Sequence, residues 1–308
     1  MSTETPADQV LDELRMALAQ ADARTPPPGL RGRVMAAAEV MRGAGHPFDP
    51  PPAISAIEAY RRTVEAFHTL LAELGDDEWR LPVLRGLDIQ GLVGHLIGVE
   101  RAFQVTLGIE PTAIDLADHV GGTQPDADAQ HGRAPASTHQ DWLARARRTI
   151  AHLESTDPAV LSQMVTLHGF SLPFAGMLVV RSFEMWTHEE DIRRATGRAL
   201  LAPDGSRLAL MTELAVAALP RGLENAGRPQ PGRTARLVLT GPGGGTWQAP
   251  LERGAVPASP DVRIVVDATA FCRLVANRYT PSQVGATITG DQALGLDVLV
   301  GASALALD

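Results

Sequence analysis

Lysine is absent from this 308-residue chain, so all 27 basic residues are arginines. Set against 36 acidic residues they leave a net charge of −9. That balance argues against a nucleic-acid surface, where phosphate contacts need an excess of positive charge. Cysteine occurs once, at Cys272; an internal disulfide is excluded, and a reducing compartment suits the chain. No apolar run approaches the ~20 residues of a membrane-spanning helix. Residues 1–9 are polar and acidic, without the basic-then-apolar order of a secretion signal. The expectation is a soluble, cytoplasmic protein with neither a nucleic-acid nor a membrane partner. Histidine is missing after His188: all nine lie between His46 and His188. Any histidine-ligated metal must therefore belong to the earlier part of the chain.

What is present centres on residues 174–191. The apolar run Phe174-Ala175-Gly176-Met177-Leu178-Val179-Val180 leads into Arg181-Ser182-Phe183-Glu184-Met185-Trp186-Thr187-His188-Glu189-Glu190-Asp191 without a proline, which reads as one continuous helix. Glu184 and His188, four residues apart, face the same way, with Asp191 one turn further on. Met177, Val180 and Ala195 share that face, so the two polar groups point toward apolar neighbours. Buried charge needs a partner. Glu184 paired with Arg181 and a hydrogen-bonded core His188 would satisfy this locally; a divalent metal, zinc foremost, would satisfy it with a further histidine.

Other elements follow from periodicity and breakers. Residues 1–50 carry two short helical patterns, 8–23 and 30–41, divided by prolines; a docking arm, an oligomer contact and a disordered leader all suit them. Amphipathic helices are expected over 54–74, 87–107 and 139–153, with a polar connection over 110–138. His95 sits at the edge of the apolar stripe Ile89, Leu92, Leu96, Val99, Phe103, where a histidine can point between two helices. With Glu184 and His188 it makes a mixed His/Glu set of three, which leaves a coordination position open in the manner of catalytic zinc. Four long helices with apolar faces make a four-helix bundle. After Gly197 the pattern changes: helices over 204–224, 268–277 and 291–305, and strands over 235–240, 246–251, 261–266 and 286–290, indicate a small α+β domain. The glycine run 241–245 lacks a following lysine or helix, so it reads as a hairpin turn in preference to a phosphate cradle. The expected division is 1–50, 51–200 and 201–308.

With these motifs in place, Leu92-Val93-Gly94-His95-Leu96 and Phe183-Glu184-Met185-Trp186-Thr187-His188, running into Asp191-Ile192 and Ala195-Thr196-Gly197, resemble the mycothiol-dependent maleylpyruvate isomerase family of DinB-like bundles. Phe271-Cys272-Arg273-Leu274-Val275-Ala276-Asn277-Arg278 and Thr289-Gly290-Asp291 are similar to its sterol-carrier-like second domain. The resemblance implies zinc on His95, Glu184 and His188, with mycothiol as co-substrate. It implies an active-site arginine in the second domain, placed on Arg278 with Arg273 and Arg263 as rivals, and a homo-oligomer is compatible with it. Asp191 is a candidate to orient a histidine or a bound ligand. The activities implied are isomerisation of, or thiol transfer to, an electrophilic small molecule. A zinc-hydroxide hydrolase and a non-catalytic ligand-binding protein are the alternatives. The segment before the second helix, Val83-Leu84-Arg85-Gly86-Leu87, departs from the family by lacking a tryptophan.

Overall fold

Short polar side chains set where the long helices begin. In the computed structural model, which describes residues 50–111, 118–167 and 169–306, Ser55 accepts the Glu58 N–H at 3.1 Å and opens α1, Ala56–Ala72. A small hairpin follows, β1 (Pro82–Leu84) with β2 (Leu87–Asp88). Asp88 then accepts the Gly91 N–H at 2.7 Å and opens α2, Ile89–Thr106. These are side-chain caps on otherwise unpaired backbone donors. A one-turn helix, α3 (Gln124–Asp128), precedes α4, Pro135–Ser155, which starts on a proline where no backbone donor is lost. A second hairpin, β3 (Met164–Leu167) with β4 (Phe170–Pro173), leads into α5, Phe174–Ala195.

The four long helices enclose a core that includes Tyr60, Phe67, Leu92, Phe103, Trp142 and Phe174. The rest of the described chain builds a second core. Helices α6 (Gly205–Ala217) and α7 (Leu219–Asn225) come first. Then follow β5 (Thr234–Thr240), β6 (Gly245–Pro250), β7 (Val262–Asp267), α8 (Ala268–Val275), β8 (Thr287–Gly290) and α9 (Gln292–Ser303). The sheet order is β6-β5-β7-β8, with β5 and β7 parallel and the other pairs antiparallel. Leu208, Leu237, Ile264, Phe271 and Val298 pack beneath it, joined by Val179 and Trp186 of α5. Helix α5 thus has one side in each core, which explains its lack of a single apolar stripe.

The architecture is the expected helical bundle followed by an α+β unit. Two local readings change. The helix expected over 204–224 is two, because Pro220 falls where a backbone donor would be needed and α7 starts afresh. The helix expected from 139 begins four residues earlier, at Pro135. The glycine run is the β5–β6 turn, with Gly241 and Gly243 at φ 83° and 72°. The two helices expected within residues 1–50, and His168, lie outside the described residues. Among the described residues no helix is long and apolar enough to cross a membrane.

Candidate metal centre

Two glycines shape the place where His95 sits. Gly94 and Gly98 flank it on α2, and a Cβ on Gly94 would fall 2.8 Å from Ala127 Cα and 2.9 Å from the Asp126 carbonyl oxygen. A Cβ on Gly98 would lie 2.9 Å from Thr123 Cβ. Their absent side chains let the segment 119–128 press against the helix, and Arg101 anchors it by binding Asp126 at 2.8 Å. That segment brings Thr123 Oγ1 to 2.6 Å from His95 Nδ1 and places it 2.8 Å from the His119 carbonyl oxygen. Thr123 gives its own proton to that carbonyl, so it accepts from His95 Nδ1–H. The lone pair of His95 is then on Nε2.

Glu184 receives the other end of the arrangement. Its Oε2 binds Arg181, which is 1% exposed and also reaches Glu100 at 3.3 Å. Glu100 in turn accepts from Tyr60 and Thr149, at 2.5 Å each. This buried network fixes the carboxylate so that Oε1 faces His95 Nε2 at 3.5 Å and His119 Nε2 at 3.4 Å. Burial raises the pKa of Glu184, but Arg181, His95 and His119 together outweigh it and hold the carboxyl well below its ordinary value. Burial lowers the pKa of His95. The pair is therefore a carboxylate beside a neutral imidazole.

His188, 1% exposed, has its ring 5.7 Å from that of His95 at 90°. Its Nδ1 is 3.2 Å from Asp191 Oδ2, and Asp191 is gripped by Arg278 through Nε at 2.7 Å and Nη2 at 2.6 Å. Burial would raise the Asp191 pKa, yet the hydrogen bonds from His188 and Arg278 bring it to about 2. An ionised Asp191 takes the Nδ1 proton of His188 in a hydrogen bond and leaves Nε2 as the bare nitrogen. His95 Nε2, Glu184 Oε1 and His188 Nε2 are all buried without a hydrogen-bond partner. Two lone pairs and an anionic oxygen turned inward with no proton between them are mutually repulsive; a cation is the group that reconciles them. The donors are the nitrogen and oxygen types that zinc takes.

The sequence reading brought forward His95, Glu184, His188, Asp191 and Arg278, and these adjoin one another in the fold. It missed His119. The nitrogens of His95 and His119 and a Glu184 oxygen lie within 4.8 Å of one another, a tighter set than any with His188 among the described residues. His119 was lost in a polar connection; the signal that could have found it is the pair of glycines around His95, which marks a close approach by another segment. Arg278 is bound to Asp191 and borders a small pocket with Arg85, Arg194 and Asn277. The rival Arg273 is bound to Glu190, with Nη2 at 2.6 Å.

A cavity of about 470 Å³ opens onto His119, Glu184 and His188. Its walls are mostly apolar and come from both halves, among them Leu172, Met177, Leu214 and Val275, with Arg221 and Arg253 also lining it. Cys272 is buried elsewhere, in the second core.

Among solved structures, the chain is similar to a crystal structure of the mycothiol-dependent maleylpyruvate isomerase, at 16% identity and a TM-score of 0.53, over 76% of this chain and 91% of that one. A structure of a histidine-to-alanine mutant of that isomerase gives 16% and 0.53 over 75% and 91%. At such identity the likeness is one of fold, and it extends beyond the helical bundle. No curated protein matches the chain. Residues 60–193 match the family described as the mycothiol maleylpyruvate isomerase N-terminal domain. His95, Glu184 and His188 all lie inside the matched segment.

Proposed function

We propose that the protein is a metal-dependent enzyme that uses a low-molecular-weight thiol, mycothiol by family, as nucleophile toward an electrophilic small molecule. The observation that carries this reading is the set of buried bare donors, His95 Nε2, Glu184 Oε1 and His188 Nε2, with Glu184 and His188 lining a cavity. His95, Glu184 and His188 would hold zinc, with His119 beside them. A bound zinc would supply the Lewis acidity that turns a thiol into its nucleophilic thiolate at neutral pH.

The chain's own groups account for the remaining requirements. Arg181 keeps Glu184 ionised, and Thr123 and Asp191 fix the two imidazole tautomers. The apolar walls exclude water, which strengthens every charge interaction inside. The thiol must come from outside, because Cys272 is fully buried and its burial holds the thiol pKa far above the ordinary value. Arg221 and Arg253 are the cavity's guanidinium groups away from Glu184, suited to an anionic portion of the substrate or thiol. Addition of the thiol to an activated alkene, rotation and elimination would give cis–trans isomerisation; displacement of a leaving group would give S-transfer.

The test has two parts. Metal analysis of the purified protein should find one zinc per chain, with the complement lost in His188→Ala; a full complement in the variant removes His188 from the donors. Turnover of electrophilic substrates should then depend on added thiol. Undiminished activity without thiol would replace this reading by a hydrolytic one.

A further inference from the structure

We propose that His119 is a fourth protein donor to this metal site, and the one that yields its place to an incoming ligand. The inference rests on the metal reading above and departs from a three-donor set. Four observations carry it. His119 Nε2 is 3.4 Å from Glu184 Oε1, as close as His95 Nε2 is. Its ring stands edge-on to that of His95, with centroids 4.9 Å apart. The residue is 7% exposed, unusual for a histidine on a connecting segment, and it faces the cavity. Its backbone is tied to His95 itself, because Thr123 bonds both the His119 carbonyl and His95 Nδ1.

The placement also separates His119 from the other donors. His95, Glu184 and His188 each belong to a long helix of the bundle, α2 or α5. His119 precedes the one-turn helix α3 on a turn, held through Thr123 and the Asp126–Arg101 ion pair. A donor on a turn is displaced at lower cost than one on a packed helix, since fewer native contacts move with it. Four protein donors close a tetrahedral site. Exchange of His119 for a ligand reopens it, with an entering thiol losing its proton to the buffer.

The experiment strips the metal from the full chain with a chelator, then titrates zinc(II) against a chromophoric competitor and cobalt(II) by its visible absorption. His119→Ala is expected to keep one metal per chain with affinity lower by at least about tenfold. Its cobalt spectrum should differ from that of the wild type, and millimolar imidazole should restore both affinity and spectrum. That rescue shows the variant is folded around an empty donor position. 2-Mercaptoethanol added to the cobalt forms should produce its sulfur-to-metal absorption at lower concentration in His119→Ala than in wild type. His131→Ala, an exposed histidine on the same connection, should change none of these. Unchanged affinity and spectrum in His119→Ala overturn the inference while leaving the metal reading intact. Equal thiol titrations overturn the exchange. A wild-type chain that binds neither metal overturns the metal reading, and this inference with it.

Discussion

At Asp191 three charged or polar side chains converge: His188 Nδ1 at 3.2 Å, the Arg278 fork at 2.6–2.7 Å and Arg194 Nη1 at 3.3 Å. With its pKa at about 2, Asp191 stays ionised at any working pH, so it orients His188 and does not shuttle protons. Arg278 then acts on the site through Asp191, and lysine cannot reproduce its two-pronged grip. Arg278→Lys is expected to weaken zinc binding by about tenfold, measured by chelator competition; an arginine that met only substrate would leave metal affinity untouched. Cys272 gives a different kind of prediction. Burial raises its folded pKa, so the folded chain keeps the thiol protonated where the unfolded chain releases the proton. Stability from this group is complete below the ordinary thiol value and declines as pH rises through and beyond it. Cys272→Ala should flatten the fall in unfolding free energy above about pH 9, and should leave thiol-dependent turnover in place. A variant curve parallel to the wild type there would contradict the assignment.

Elements carry the next predictions. Gly94 and Gly98 matter because α2 and the segment 119–128 approach through the space a methyl would fill. Gly94→Ala gains helix propensity but drives its Cβ into the backbone of Asp126 and Ala127. Net destabilisation of about 1–3 kcal/mol is expected by denaturant titration, together with weaker metal binding as the strap moves. A stabilised variant would show that the contact is slack. The same pair of glycines illustrates what the sequence does and does not disclose. The helices were legible because apolar spacing is local: Leu92, Leu96, Val99 and Phe103 repeat regardless of what packs on them. Glu184 and His188 were legible for the same reason, being one turn apart. His119 was not, since its approach to Glu184 depends on a tertiary crossing 65 residues away in sequence. Likewise the charges of α5 resist a one-sided reading. Glu190 is 1% exposed; Arg194 on its own helix pairs with it at 2.8 Å, but its burial also depends on Arg273 arriving from α8 at 2.6 Å.

The molecule as a whole is joined across its two cores by such pairs. Arg273–Glu190 and Arg278–Asp191 both run from the second half to α5. Stranding a buried charge outright costs about 3–5 kcal/mol; removing Arg273 leaves Glu190 paired with Arg194 alone, so a smaller loss is expected. Arg273→Ala should therefore lower the denaturation midpoint for probes in both halves, read by tryptophan fluorescence of Trp142 and Trp247 in single-tryptophan variants. A midpoint shift confined to Trp247 would mean that the halves unfold independently. Helix α5 sets a further condition on this arrangement. It addresses one core with Met177, Met185 and Ile192, the other with Val179 and Trp186, and the candidate metal centre with Glu184 and His188. Each residue along it advances the direction by about 100°. A single inserted or deleted residue between Val180 and Glu184 would turn everything beyond it by that angle and present each side chain to the wrong neighbour. Substitutions can be absorbed one site at a time along α5; a change in its length cannot.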